Sequence, residues 1–153
     1  MKQQKITNYY EGDHDRLDGL FRSFQELKRT DFAKAKSCFV DFKEGLQRHI
    51  LWEEEILFPL FEQKTGMTAG GPTQVMRNEH SMIKSFLAQI HDLVQLQSPE
   101  TDDAERKLLE TLSAHNIKEE QILYPAIDSS LEGEEITRIF ARMESVPRDG
   151  YGK

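Results

Sequence analysis

Apolar residues recur along this chain at steps of three and four, the spacing of helices that bury one face, and nowhere alternate as strands do. Leu17, Leu20, Phe21, Phe24 and Leu27 predict a first helix over 13–28, and Thr30-Asp31 supplies a turn with a candidate N-cap. Phe32, Ala35, Phe39, Phe42, Leu46, His49, Glu53, Ile56 and Leu60 form a stripe that predicts a second helix over 32–63. A loop over 65–72 follows, then a third helix from Thr73 with Met76, His80, Ile83, Leu87, Ile90 and Val94 on one side. Ser98-Pro99 reads as an N-cap with proline in the first turn, opening a fourth helix to Ser129 along Leu108, Leu112, His115, Glu119, Ile122 and Ala126. A short tail helix is predicted over 134–145. Pro59 and Pro125 interrupt the second and fourth patterns, where each removes a hydrogen bond, so a kink or a late helix end is expected at both.

These elements predict an all-α fold: an up-down-up-down four-helix bundle over residues 1–130, with a tail helix and flexible C-terminus over 131–153. The length, 153 residues, suits one domain with a core of its own. Mean hydropathy is -0.65 and the longest greasy patch, Ile56–Phe61, is far short of a membrane span. The N-terminal MKQQKITNYY lacks an apolar leader core, so a secretory signal is not expected. The net charge of -7 weighs against nucleic acid and anionic membrane partners. Cys38 is the single cysteine, which excludes an intramolecular disulfide and any multi-cysteine metal site, and fits a cytoplasmic location. It reads as a small packing residue.

The polar members of the stripes change the picture. A shift of 66 residues lays HILWEEEILFPLFE, from His49, over HNIKEEQILYPAID, from His115. The same shift lays Asp13-His14 over Glu79-His80, and each half separates its two histidines by 35 residues. Folded about its turn, each half is a hairpin with its histidines level, roughly 24–28 Å from the turn. His49 and Glu53, like His115 and Glu119, share a helical face one turn apart. Inward ionisable groups are costly in a bundle unless paired or metal-bound. Four imidazoles and two carboxylates at one level suit a first-row transition metal, and six donors exceed one tetrahedral zinc, so two ions are expected.

The pattern His14, His49-x-x-x-Glu53, His80, His115-x-x-x-Glu119 resembles the hemerythrin-like (HHE cation-binding) domains over nearly the whole chain. That resemblance implies a diiron centre, oxo- or hydroxo-bridged, with His14, His49, His80 and His115 as terminal ligands and Glu53 and Glu119 as bridges. Oxygen-carrying members have a second histidine four residues away on the third helix; here those positions hold Met76 and Lys84, and His91 lies about 16 Å along the axis. A spare coordination position falls to Glu54, Glu79, Glu120, Tyr10 or water, although Glu54 and Glu120 also read as a solvated charged face. The ferritin-like pattern of two Glu-x-x-His motifs is not met, since only Glu11-x-x-His14 fits. Trp52, beside Glu53, reads as packing near the site, and Tyr10 or Tyr124 as a hydrogen-bond donor to a bound ligand. The function expected is binding or sensing of O2, NO or a related small ligand. The alternatives are a diiron enzyme, acting in peroxide breakdown, ferroxidation or NO reduction, and an iron- or redox-dependent interaction module.

Overall fold

The computed structural model describes residues 4–67 and 70–147, which are all-helical with no strand among them; the C-terminal residues 148–153, expected to be flexible, lie outside the described residues. Helix α1 (Ile6–Leu27) and helix α2 (Phe32–Trp52) join through a short turn, where Asp31 accepts from the Lys34 N–H at 3.2 Å. From Phe24 to Phe21 to Tyr10 along α1, the ring partners on α2 run from Phe39 to Phe42 to Trp52, so the two helices are antiparallel.

Helix α1 starts seven residues before the expected Asp13. Its first N–H groups are capped from far away: the Asp128 carboxylate accepts from Ile6 N at 2.8 Å and Thr7 N at 3.0 Å. A cap more than 120 residues distant leaves no local signal. Ile6 and Tyr10 are fully buried beneath the tail.

Neither proline simply kinks or ends its helix. A π turn over Glu53–Leu57 precedes helix α3 (Phe58–Thr65), and a second over Glu119–Leu123 precedes a later short helix. In each, an N–H reaches five residues back, Phe58 to Glu53 and Tyr124 to Glu119. Pro59 and Pro125 have no N–H for the carbonyl four residues earlier, and the wider turn accommodates their rings without ending the helix. Gly66, at φ +74°, ends α3 in the left-handed conformation glycine adopts without strain.

Helix α4 (Pro72–Gln95) begins with its proline in the first turn, one residue before the expected Thr73. Helix α5 (Asp102–Lys118) starts at Asp102, correcting the expected start at Ser98-Pro99. Ser98 instead sits in a turn, its N–H on the Leu93 carbonyl and its hydroxyl accepting from Glu100. The helix opens where Asp102, Asp103 and Glu105 face its positive end. Lys28, 3% exposed, fixes this point by pairing with Asp102 and Glu105 and donating to Thr101 at 3.1 Å. Helix α6 (Tyr124–Ser130) continues α5 beyond the second π turn, and helix α7 (Gly133–Ser145) is the predicted tail, opened by a Glu132/Glu135 capping box.

Two apolar layers result. One holds Phe21, Phe24, Phe39, Phe42, Leu87 and Leu108, with Cys38 packed at its edge. The other holds Ile6, Tyr10, Phe58, Phe61, Tyr124 and Met143, so α7 closes its end of the molecule. Between the layers lies one polar level. No helix among the described residues is long and apolar enough to cross a membrane.

Candidate metal centre

Each helix of the two hairpins delivers one histidine to this level: His14 from α1, His49 from α2, His80 from α4 and His115 from α5, all at most 4% exposed. Glu53 and Glu119 open the two π turns and are fully buried. The six side chains converge. His14 and His49 bring their Nε2 atoms to 3.1 Å; His80 Nε2 lies 3.1 Å from Glu53 Oε1, and His115 Nε2 lies 3.0 Å from Glu119 Oε1. Glu119 Oε1 is also 3.4 Å from His14 Nε2. Their donor atoms fall into two groups, each spanning at most 4.8 Å: Glu53, His80, His115 and Glu119 in one, and His14, His49 and Glu119 in the other. Glu119 belongs to both.

Every imidazole is held from behind. Nδ1 of His49 meets Asp13 at 2.8 Å, His80 meets Glu54 at 2.7 Å, His115 meets Glu79 at 2.9 Å and His14 meets Glu120 at 3.1 Å. Each Nδ1–H donates to a carboxylate, which turns Nε2 toward the centre and holds the ring; metal-binding histidines are fixed in this way. Each carboxylate sits on the helix next to that of its histidine, and the four pairs close a ring around the molecule.

Glu54, Glu79 and Glu120 are therefore not spare ligands. Their carboxylates lie on the outer side of the imidazoles, and Glu54 and Glu120 are not a solvated face. Tyr10 is not a spare ligand either, because its hydroxyl donates to Met143 Sδ at 3.3 Å. Asp13 is the partner the sequence reading missed. Its signal was present: Asp13 precedes His14 as Glu79 precedes His80, and each reaches the histidine 36 residues later. Tyr124, not Tyr10, points its hydroxyl inward, donating to Glu53 Oε2 at 2.7 Å and lying 3.2 Å from His49 Nε2. Trp52 is buried packing, with the Arg48 guanidinium over its ring at 4.6 Å.

The electrostatics ask for positive charge at the centre. Burial and the facing charge of Glu119 push the Glu53 carboxyl above its usual range. Burial disfavours charged His14, but Glu119 and Glu53 outweigh it and raise the pKa to about 9; His80 reaches about 9 against burial through Glu53 and Glu54. The outer carboxylates are held charged despite burial: Asp13 through His49 and Arg16, Glu54 through His80 and Lys84, Glu79 through Lys118 and His115. Glu53 Oε1, His80 Nε2 and both Glu119 oxygens are buried and, although close to other members of the cluster, make no contact of hydrogen-bond geometry among the described residues. Orphaned polar atoms on several helices, facing one another, fit a cation between them. The mixed nitrogen and oxygen donors suit a transition metal better than magnesium or calcium.

A buried His/Glu cluster at mid-depth of a helical fold defines a class of cation-binding proteins. Residues 5–127 match the family described as hemerythrin HHE cation binding domain, and the chain belongs to that family. A second match to the same family covers residues 71–146. The chain is similar to a protein named DNA nickase from Nostoc sp., 31% identical over 88% of this chain and 36% of that one. It is also similar to the iron-sulfur cluster repair protein YtfE of Edwardsiella ictaluri, 28% identical over 78% of this chain and 61% of the relative. A hemerythrin-like protein of Schizosaccharomyces pombe is 27% identical over 94% of this chain and 69% of its own. The chain thus spans 36% and 61% of the length of the first two relatives. The name of the first relative leaves the expected exclusion of nucleic acid without support. No solved structure matches the chain.

Proposed function

We propose that this chain is a dinuclear iron protein that binds or senses O2, NO or a related small ligand. His14, His49, His80 and His115 would be its terminal ligands, and Glu53 and Glu119 would be shared between the two ions. The helices that carry them form an up-down-up-down bundle over 1–130, closed by the tail over 131–153. The observation that carries this reading is the pair of donor groups sharing Glu119, with buried oxygens that have no other partner.

When bound, two ferrous ions would supply the two electrons that reduce O2 to the peroxide level. The residues around it set the conditions. Glu53 and Glu119 offset part of the cationic charge, and the outer carboxylates strengthen each imidazole as a donor by holding its Nδ1 proton. The Tyr124 hydroxyl lies 3.4 Å from His14 Nε2 and would serve a ligand on that side by turning its proton from Glu53 to it. Both apolar layers keep bulk water from the level of the centre.

The names of the YtfE relatives favour a second reading, in which the same centre takes part in iron-sulfur cluster repair, as an enzyme rather than a carrier. Anaerobic loading with Fe(II), metal analysis, and exposure to O2 or NO while near-ultraviolet charge-transfer bands are followed tests the proposal. Stoichiometric ligand uptake is expected; sustained consumption of either gas favours the enzymatic reading, and no spectral response overturns the proposal.

A further inference from the structure

The internal repeat fails at one place in a way that concerns charge. Glu54 and Glu120 are equivalent, each holding the Nδ1 of a histidine on the next helix. Lys84 Nζ stands 3.8 Å from Glu54, and Arg77 donates to the Glu54 carbonyl at 3.3 Å. A shift of 66 residues turns Lys84 into Asp18 and Arg77 into Glu11. Both cations of one side are acids on the other. The other outer carboxylates are also held by cations, Asp13 by Arg16 and Glu79 by Lys118. Among the described residues no lysine or arginine pairs with Glu120, which is 26% exposed, the most open of the four.

Glu120 also lines a cavity of about 390 Å³ between α1 and α5, together with Asp18, Phe21, Ser113, Asn116 and one cation, Arg22, which lies a helical turn beyond Asp18. That volume holds roughly a dozen waters, enough for a hydrated ion. Asn116 is nine-tenths buried in this wall, and its Oδ1 has no hydrogen-bond partner among the described residues. The equivalent residue in the first half is Ile50, a core residue 2% exposed. The repeat has thus exchanged an apolar position for an unpaired oxygen, and a lysine for an aspartate, along one path. The path ends at Glu120 Oε2, 3.1 Å from His14 Nδ1.

We propose that this cavity is the route by which divalent cations reach the centre, with Asp18, Asn116 and Glu120 as successive oxygen donors. Asp18 draws the hydrated ion in. Asn116 replaces part of its water shell, and Glu120 passes it to the donors behind His14. On the other three flanks arginine or lysine offsets the outer carboxylate, which weakens the pull on a cation there.

The inference rests on the metal-binding reading above, and rate and equilibrium separate the two. Metal-free protein is mixed with Co2+ at low ionic strength, and the growth of its visible bands gives the uptake rate; metal content after dialysis gives the equilibrium. Asp18→Lys, at an exposed position, restores the charge found on the Lys84 side. It is expected to slow uptake about tenfold and to abolish its salt dependence, leaving final metal content unchanged. Glu134→Lys, on the 92% exposed Glu134 of α7, makes the same change in net charge and is expected to leave the rate as in the wild type. An unchanged rate in Asp18→Lys, or equal slowing in both variants, overturns the route. A wild-type chain that holds no metal at equilibrium overturns the underlying reading instead.

Discussion

The two hairpins place equivalent histidines and glutamates around the centre and surround them differently. On the His14 and His49 side, the Tyr124 hydroxyl reaches in to Glu53. On the His80 and His115 side the equivalent residue is Phe58, whose ring stacks on His80 with centroids 6.0 Å apart and 7° between planes. Glu54, behind His80, has Lys84 beside it, whereas Glu120, behind His14, lines a cavity with Asp18 and Asn116. An internal repeat has kept the inner donors and varied what touches them. On the proposed reading the inner set would select the ion, and the outer differences would give the Tyr124 and Glu120 side to ligand and ion entry and leave the Phe58 and Lys84 side closed.

The most severe way to break this arrangement is to remove the residue both donor groups share. Glu119→Ala is expected to abolish binding of both ions and to lower the melting temperature of metal-loaded protein by about 10 °C or more, read by metal analysis and calorimetry. A variant retaining one ion would show that the two groups are independent.

The extent to which this was legible in the sequence divides along the same line. The six inner residues are legible because histidine and glutamate in an otherwise apolar stripe stand out, and the 66-residue register repeats them. The outer ring is harder to read, because an exposed acid and an acid hydrogen-bonded to a buried imidazole look alike in one dimension; Asp13, Glu54, Glu79 and Glu120 differ only in what they touch. The start of α1 at Ile6 depends on Asp128, and the start of α5 depends on the buried Lys28. Both are tertiary effects without a local cue. The π turns are half legible: Pro59 and Pro125 mark the disturbance but not its form.

Asp13→Asn tests the outer ring next. It leaves His49 without a full charge on its Nδ1 and is expected to weaken metal affinity by roughly 10- to 100-fold, measured by chelator competition. Glu120→Gln, at the more exposed and uncompensated position, is expected to cost less. Equal losses would erase the distinction between a clamped and an open flank.

Tyr124→Phe makes the two sides alike. Metal content is expected to hold, while the dissociation rate of a bound diatomic ligand rises about tenfold, the worth of one buried hydrogen bond. Stopped-flow displacement measures it, and an unchanged rate would remove Tyr124 from the ligand site.

The smallest effect expected is on pH. His14 and His80 are raised to about 9 against burial, through Glu119 and Glu53 respectively, from about 6.5 in an unfolded chain. Because the folded-state pKa is the higher, their contribution to metal-free stability is complete below about pH 6.5 and is lost as the pH rises through 9. Metal binding needs those protons to leave, so affinity rises over the same window. Chelated protein is expected to melt a few degrees lower at pH 9 than at pH 6.5, and loaded protein is not.

The most direct measurement is the number of irons held per chain after anaerobic reconstitution and removal of excess metal, paired with melting before and after chelation. The account predicts about two irons per chain and a marked fall in melting temperature when they are removed. A chain that holds none, or that melts identically with and without chelator, would contradict it.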